Sequence, residues 1–528
     1  MSLPLHHRRH SVMSRPVKEH NQPRFSKTLV LLVLCILLGS LLRLVKFPTV
    51  PGGLNRDEAA LGYNAFSLLK TGKDEWGKQW PIVFRSFGDY KLAGYIYTAI
   101  PSIAVFGLNA FSVRLPSLLA GIALIPLAYM FTLSFIPIHL SKKHIGVFAA
   151  GIQAIAPWAL HYSKVAFEAN LALMLFVLGL TYIIREAPQC TKKSFWGALL
   201  IFLSLITYNA PLVILPVIVL MMLLWKKKPI KSVILLALGI FVAFLLVFPA
   251  TQSKRAITVF SDEGVKTSLM NGRFHAGSNI LQRVYYSRPI YYSLVIGRQY
   301  ISSFHPQFLV IRGGQNPWHQ VPGAAHLSWT LYALAILGLV VGWKVFRRED
   351  NLLIYGIFFA SPLASAITSD APQATRMLLF FFMLTFFAAV GLFWISRYSK
   401  WIAMGVVIAA TFELLFYMQI YLGSFAQHPQ VEWLAGIDKA IVKANQLRTS
   451  NETIIIIGDQ HYTYIYPLFY EKVNPIEFQS TVQYYPNDAL GLSQVKQFGH
   501  YTFVSNGISA PAGSIGISQQ TDGTITVK

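Results

Sequence analysis

The chain has 528 residues, of which 54% are hydrophobic and 13% charged, and its formal net charge is +23. Apolar runs of roughly 20 residues recur along it, which excludes a soluble multi-domain protein and indicates a polytopic membrane protein. The positive charge does not indicate a nucleic-acid partner, because no zinc-ligand spacing, basic helix or RNA-binding motif accompanies it. The two cysteines, Cys35 in an apolar run and Cys190 in a basic loop, lie at different predicted depths, so a disulfide is not expected.

The first 27 residues form a basic tail that we expect in the cytoplasm. It contains six positive side chains: Arg8, Arg9, Arg15, Lys18, Arg24 and Lys27. Positive charge is retained on the cytoplasmic side of membrane proteins. The first predicted span, residues 28–45, therefore leads outwards, and residues 46–114 form an external first loop.

Hydropathy and loop charge together predict eleven spans within a transmembrane module of residues 28–423. The predicted spans cover residues 28–45, 115–140, 145–162, 165–184, two within 195–225 that are separated by a break at 207–211, 232–250, 329–343, 352–367, 377–395 and 402–422. Residues 92–106 are assigned to a helix on the outer membrane surface, because a span there would place the later lysine-rich loops outside. Residues 251–326 form a second long external loop.

The composition changes near residue 424, and residues 424–528 are predicted to form a small external α/β domain. Periodicity predicts helices over residues 431–446 and 462–471, and strands over residues 453–458, 502–505 and 514–518. The predicted fold class is thus mainly helical, with a small α/β domain at the C-terminus.

The first loop contains the adjacent carboxylates Asp57 and Glu58, at the start of a predicted helix. In one interpretation Asp57 caps this helix and Glu58 complements its dipole. In the other, one carboxylate is a general base at the membrane surface. Lys91, which follows Tyr90, is either a lysine that extends to the headgroups or a ligand for a phosphate.

Further polar candidates lie in the predicted external turns and loops. The second long loop carries eight Lys or Arg against two acids, which indicates an external anion or simple solvation of the charges. The candidates outside the first loop are Tyr162, Glu168, Arg255, Arg312, Asn316, His319 and Arg376. The spacing of His, Cys and carboxylates matches no metal-ligand pattern, so a divalent metal is left open.

Three motifs occur in order: Asn55-Arg56-Asp57-Glu58-Ala59, then Tyr90-Lys91, then the segment FGLNAFSVRLPS at residues 106–117. Together they resemble the membrane glycosyltransferases of the GT-C fold, above all the protein O-mannosyltransferases and the lipid A aminoarabinose transferases. The resemblance is best over about the first 190 residues. It implies that a sugar is transferred from a polyprenyl-phosphate carrier, on the external leaflet and with inversion. It also implies that Asp57 is the catalytic base and that Lys91 holds the lipid phosphate.

We therefore predict a polyprenyl-phosphate-dependent glycosyltransferase in the cell membrane, acting on a hydroxyl of a protein, lipid or glycan. The predicted catalytic residues are Asp57 and Glu58; the predicted donor-phosphate ligands are Tyr90, Lys91, Arg255, Arg312 and Arg376; and the predicted substrate-binding residues are Tyr162, Glu168, Asn316 and His319.

Two alternatives accompany this prediction. A polysaccharide polymerase or ligase with a polyprenyl-diphosphate donor would use Arg312 and His319. A lipid-linked-sugar flippase would need polar groups near mid-membrane, whereas the predicted spans carry few charges.

Overall fold

The computed structural model describes residues 26–87, 89–137, 142–427, 431–449, 452–486, 494–506, 508, 511, 513–520 and 522–528. Most of the predicted basic tail lies outside these ranges, as do residues 138–140 at the end of the second predicted span.

Helices dominate the structure. They are α1 (Lys27–Leu44), α2 (Arg56–Thr71), α3 (Ala93–Phe106), α4 (Ala110–Phe135), α5 (Lys142–Ile155), α6 (Pro157–Ser163), α7 (Glu168–Glu186), α8 (Lys192–Leu205), α9 (Ala210–Leu224), α10 (Ile230–Ser253), α11 (Glu263–His275), α12 (Ile280–Tyr285), α13 (Arg288–Ser302), α14 (Trp329–Val345), α15 (Asn351–Ala360), α16 (Leu363–Ala366), α17 (Leu378–Tyr398), α18 (Lys400–Leu422), α19 (Ser424–Gln427), α20 (Ile437–Leu447), α21 (Ile465–Tyr470) and α22 (Pro475–Thr481). Short 3₁₀ or π segments lie at Lys254–Ile257, Gln307–Ile311, Pro317–His319, Ala374–Met377 and Val431–Trp433.

Six of these helices are long and apolar enough to cross a bilayer: α1, α4, α7, α10, α17 and α18. Helices α5 and α6, bent by 59° at their junction, form one further candidate. Each of the other predicted span positions also holds a helix, but a shorter one. The predicted break at residues 207–211 is confirmed, since α8 ends at Leu205 and α9 begins at Ala210. The chain is a multi-pass membrane protein, and the count of eleven crossings remains a prediction.

The centre of the bundle is α17, which is almost entirely buried and packs closely against α14. A Cβ added at Gly338 would lie 1.8 Å from the Phe387 carbonyl oxygen, and one at Gly391 would lie 2.2 Å from the Leu334 carbonyl oxygen. The two backbones are therefore in direct contact, as small residues allow in membrane bundles.

A short antiparallel hairpin lies between α2 and α3. Its strands, β1 (Val83–Ser86) and β2 (Asp89–Leu92), pair Phe84 with Lys91 and Arg85 with Tyr90. The helix predicted over residues 92–106 is present as α3, and its location on the membrane surface remains a prediction. Lys91 lies on β2, and the hairpin holds its backbone in an extended conformation.

The C-terminal region contains six strands in the order β4-β5-β6-β3-β7-β8. They are β3 (Ile454–Ile457), β4 (Gln483–Tyr484), β5 (Val495–Phe498), β6 (Tyr501–Val504), β7 (Ile515–Gln519) and β8 (Ile525–Val527). Strand β3 is parallel to both β6 and β7, while the outer pairs are antiparallel. The three predicted strands and both predicted helices are confirmed, with shorter helices. Strands β4, β5 and β8 were not predicted.

This sheet region shares one hydrophobic core with the first loop. Apolar side chains of α2 and α3 cluster with those of α20, α21 and the strands. The Tyr63 hydroxyl donates a hydrogen bond to the Val473 carbonyl oxygen at 3.0 Å. A Cβ at Gly62 would lie 2.6 Å from the Phe469 ring. Helix α21 and the turn after it therefore pack directly on the loop that carries Asp57. The predicted domain boundary at residue 424 and its external side remain predictions.

Candidate active site

The first turn of α2 is fixed by a capping box. The Asn55 side-chain oxygen accepts a hydrogen bond from the Glu58 amide at 2.9 Å, and Glu58 Oε2 accepts one from the Asn55 amide at 3.3 Å. The interpretation that Asp57 caps this helix is therefore wrong, because Asn55 is the cap. Asp57 is free of that structural role.

Glu58 points into the protein. Its two carboxylate oxygens each receive a hydrogen bond of 2.8 Å from Arg114, and both side chains are fully buried. Glu58 Oε1 also accepts from the Ala166 amide at 2.8 Å. Arg114 donates further bonds to the carbonyl oxygens of Pro48, Pro51 and Gly53. This buried pair joins α2, α4 and the segment before α7.

Asp57 lies instead on the wall of a cavity of about 330 Å³. Seven predicted site residues line this cavity: Asp57, Tyr90, Lys91, Glu168, Asn316, His319 and Arg376. Four others do not: Glu58, Tyr162, Arg255 and Arg312. Tyr162 is buried in the bundle, whereas Arg255 and Arg312 are exposed. The structure thus brings together side chains from the first loop, α7, the second long loop and the turn before α17.

Lys91 lies between two carboxylates. Its Nζ is 2.9 Å from Asp57 Oδ1 and 3.8 Å from a carboxylate oxygen of Glu168. Burial would raise the pKa of Asp57, but Lys91, Arg56 and Lys254 together hold that pKa below its ordinary 3.8. Burial would lower the pKa of Lys91, but Asp57 and Glu168 raise it above its ordinary value. Asp57 is therefore a carboxylate and Lys91 an ammonium at neutral pH.

Two further cations line the cavity, and each has a carboxylate partner. Arg376 forms an ion pair with Asp370 and donates to the Thr368 hydroxyl at 2.8 Å. Lys254 forms an ion pair with Asp89. Lys254, Asp370 and Tyr208 also line the cavity, but they were not among the predicted site residues. Lys254 is the first of the eight basic residues in the second long loop. Only the fold separates Lys254 from its exposed neighbour Arg255.

His319 contributes a neutral imidazole to the wall. Burial, with the positive charge of Arg376 nearby, lowers its pKa to about 3. Its ring packs edge to face on Phe167 at 5.5 Å, and its buried Nδ1 has no hydrogen-bond partner among the described residues. The adjacent Trp318 also lines the cavity, and its ring covers one side of the Arg56 guanidinium at 5.1 Å.

A narrow apolar cleft adjoins the cavity. It is lined mainly by aliphatic and aromatic side chains of α7, α9 and α17, and it shares Ala169, Tyr208, Ala210, Thr375 and Arg376 with the cavity. Arg376 therefore lies at the junction between the cavity and the apolar cleft.

The residues present do not fit a divalent metal between Asp57 and Glu168. The ammonium of Lys91 occupies the position that a bridging cation would take, within reach of both carboxylates. Among the described residues, no three His, Cys, Asp or Glu side chains group as a metal site would require.

No protein-family model matches this sequence, and no curated protein matches it either. Among solved structures, the chain is similar to the oligosaccharyltransferase of Archaeoglobus fulgidus in complex with Zn and sulfate. That match has a TM-score of 0.51 and 13% sequence identity, and it covers 83% of this chain and 61% of that one. The chain has the GT-C fold.

A second similarity is to ArnT from Cupriavidus metallidurans in the apo state, with a TM-score of 0.47 and 13% identity over 85% of each chain. The chain spans about three fifths of the length of the archaeal oligosaccharyltransferase. The chain combines a membrane bundle, a first loop with short helices and a small sheet region beyond the last long helix.

Proposed function

We propose that this protein is a membrane glycosyltransferase that moves a sugar from a polyprenyl-phosphate carrier to a hydroxyl acceptor on the extracytoplasmic side. One observation carries the proposal: Asp57 and Lys91 are in contact, 2.9 Å apart, in a cavity whose wall also contains Arg376 and Lys254. A carboxylate for the acceptor and cations for the donor phosphate are the two groups that this reaction needs. The oligosaccharyltransferase with the same fold is itself a glycosyl-transferring enzyme by name.

Asp57 is proposed as the general base. An acceptor hydroxyl becomes an effective nucleophile only as its proton is removed, and Asp57 is ionised and partly exposed to the cavity. As the acceptor oxygen bonds to the anomeric carbon, its proton passes to Asp57 and the bond from that carbon to the carrier phosphate breaks. Attack on the face opposite the phosphate inverts the anomeric centre.

The cations are proposed to hold the carrier phosphate and the charge that develops on it. Lys91 can donate to Asp57 and to a phosphate oxygen together, since an ammonium has three donors. Arg376 and Lys254 now pair with Asp370 and Asp89. A phosphate in the cavity would compete with these carboxylates for the same cations, and we infer that donor binding rearranges both pairs.

The apolar cleft beside Arg376 supports a lipid carrier over a soluble nucleotide sugar. Its aliphatic wall runs along α7, α9 and α17, and we propose that the first isoprene units lie against this wall while the phosphate stays in the cavity. A polymerase or ligase of the kind considered above would use Arg312 with His319. Arg312 does not line the cavity, so the site supports the monophosphate donor better.

Glu58 has a different proposed role from the one predicted. Its carboxylate is committed to Arg114 and the Ala166 amide, so we assign it to positioning the start of α2 and thereby Asp57. Glu168, Tyr90, Asn316 and His319 remain proposed substrate contacts because they line the same cavity.

The test uses the purified protein in lipid nanodiscs with an extract of polyprenyl-linked sugars and a membrane extract that supplies acceptor lipids and proteins. Each donor is offered as the monophosphate or the diphosphate form, and mass spectrometry follows loss of the donor and the gain of sugar mass on glycolipids or glycoproteins. We expect consumption of a monophosphate donor by the wild type and not by Asp57→Asn. Consumption of the diphosphate form alone would instead establish the polymerase or ligase alternative.

A further inference from the structure

The second long loop contains three helices, α11, α12 and α13, whose apolar side chains are largely uncovered by the described protein. Ten large apolar or aromatic side chains between residues 260 and 301 are 38% to 84% exposed. They are Phe260, Met270, Phe274, Ile280, Leu281, Val284, Tyr285, Ile290, Leu294 and Ile301. Such a concentration exceeds the scattered exposure that is normal on a protein surface and marks an interaction face.

Basic side chains accompany these apolar groups. Arg273, Arg283, Arg288 and Arg298 are all exposed, and the same stretch contains only two acids, Asp262 and Glu263. On α13 the apolar residues Ile290, Leu294 and Ile301 recur at helical spacing, so they share one face of that helix. A basic helix with one apolar face is the pattern of helices that lie in the membrane interface.

The three helices are too short to cross the bilayer. They contain 13, 6 and 15 residues, whereas a span needs about 20. The chain reaches them from α10, a candidate span, through Lys254, and it returns to α14 through Asn316 and His319. All three of these connecting residues line the cavity, so the segment begins and ends at the level of the site.

A hydrogen bond joins α13 to the helix bundle. The Tyr300 hydroxyl donates to the Phe359 carbonyl oxygen of α15 at 2.8 Å. The segment is therefore held beside the helices of the bundle.

We propose that residues 260–301, termed the interfacial segment, lie on the bilayer surface, insert their apolar side chains among the acyl chains and bind anionic headgroups through their arginines. The partner is an anionic lipid surface, because it supplies both an apolar layer and negative charge at the required depth. The bilayer surface, rather than another protein, then covers this face.

The experiment places single nitroxide labels on the full-length protein after Cys35 and Cys190 have been replaced by serine. Labels at Phe274→Cys and Leu281→Cys are compared with one at Glu477→Cys, an exposed position on α22. In nanodiscs that contain about one third phosphatidylglycerol, we expect the first two labels to be accessible to oxygen and shielded from a water-soluble nickel complex. The label at residue 477 should show the reverse. Equal nickel accessibility at all three positions would overturn the proposal.

Charge variants test the headgroup contact. Each arginine near an anionic surface favours binding roughly fivefold. In phosphatidylglycerol nanodiscs, the double change Arg283→Gln and Arg288→Gln should therefore lower the ratio of membrane-bound to released interfacial segment about 25-fold. The same variant should behave like the wild type in phosphatidylcholine alone. Equal shielding in both lipids, with or without the arginines, would exclude headgroup recognition. Dipolar broadening between labels on two protein copies would instead assign the face to self-association.

Discussion

Glu58 and Arg114 form a fully buried ion pair, with both carboxylate oxygens of Glu58 at 2.8 Å from the guanidinium. Glu58 is thereby turned away from the cavity that its sequence neighbour Asp57 faces. Adjacent residues on a helix point about 100° apart. Glu58 can therefore bind Arg114 inside the protein while Asp57 faces the cavity, where it is the proposed base. The two acids should therefore respond differently to the same substitution.

Asp57→Asn should abolish transfer and leave the fold intact. Asn55 remains as the helix cap, and Lys91 keeps Glu168 as a charged partner when its pair with Asp57 is lost. The change removes the proposed general base, which is worth roughly 10²- to 10⁴-fold in rate. Glu58→Gln is the matched variant. It leaves Arg114 buried without a charged partner, and we expect a loss of about 3 to 5 kcal/mol in the free energy of unfolding. Activity assays and thermal unfolding distinguish the two. More than about a tenth of wild-type activity in Asp57→Asn would contradict the assignment of the base.

Lys91→Met should move the acid limb of the pH–rate profile upwards. Burial raises the pKa of Asp57, and Lys91 is the main group that opposes it, so the wild-type carboxylate titrates below 3.8. A base acts only when deprotonated, so activity is lost as the pH falls through its pKa. Without Lys91 the effect of burial is opposed by fewer positive charges, so that pKa should rise. The measurement is kcat/KM against pH, and an unshifted acid limb would mean that Asp57 is not the titrating base.

Lys254 and Arg255 offer a matched pair of adjacent cations. Lys254 lines the cavity, whereas Arg255 is exposed and does not. Loss of a charge-assisted phosphate contact costs about 1.5 to 3 kcal/mol, or roughly ten- to a hundredfold in donor-dependent turnover. We expect this loss in Lys254→Ala, Lys91→Ala and Arg376→Ala, and near wild-type turnover in Arg255→Ala. Added polyprenyl monophosphate should inhibit the wild type more than the three cavity variants. Equal effects at residues 254 and 255 would indicate only general surface charge.

The buried carboxyl group of Glu75 should make the stability of the protein depend on pH. It accepts hydrogen bonds from Trp76 Nε1 at 3.1 Å and from the Tyr464 hydroxyl at 3.2 Å, where the first loop meets the C-terminal sheet region. Burial, with the negative charge of Asp74, raises its pKa from 4.5 to about 8.

The pKa of Glu75 is higher in the folded protein than in the unfolded chain. The contribution of protonated Glu75 to the free energy of unfolding is therefore complete below pH 4.5 and is lost as the pH rises towards 8. Each unit of pKa difference is worth about 1.4 kcal/mol. Glu75→Gln should flatten the fall in melting temperature between pH 5 and pH 8, whereas Glu477→Gln, an exposed control, should not. An identical fall in wild type and Glu75→Gln would assign the pH dependence to other groups.

The orientation of the bundle is a further prediction. Positive charge in the loops places Lys193, Lys231 and Lys400 in the cytoplasm and Asn316 outside. Reporter fusions truncated after each residue should show activity on those sides. A cytoplasmic signal at Asn316 would contradict both the eleven-span arrangement and an extracytoplasmic site.

Much of the fold could be predicted because its signals are local. The length of each apolar run predicts a membrane helix by itself, and the break at residues 207–211 contains Pro211. Strand β3 is a run of four isoleucines, which needs no partner to be recognised. Strands β4, β5 and β8 were missed because they are only two to four residues long and partly polar, so no clear alternation marks them. Each is defined by antiparallel pairing with the strand next to it in the chain.

For the candidate site too, some features could be predicted from the local sequence and others depend on contacts between distant residues. The order of the motifs around Asp57 and Lys91 carried the resemblance to GT-C glycosyltransferases, and that information lies in the sequence itself. The direction of Glu58 depends on Arg114, 56 residues later, and the selection of Lys254 over Arg255 depends on a pair with Asp89, 165 residues earlier. Local composition determined where the chain enters the membrane and which polar groups it offers. Only tertiary packing decided which groups face the cavity, because side-chain direction is set by partners far away in the chain.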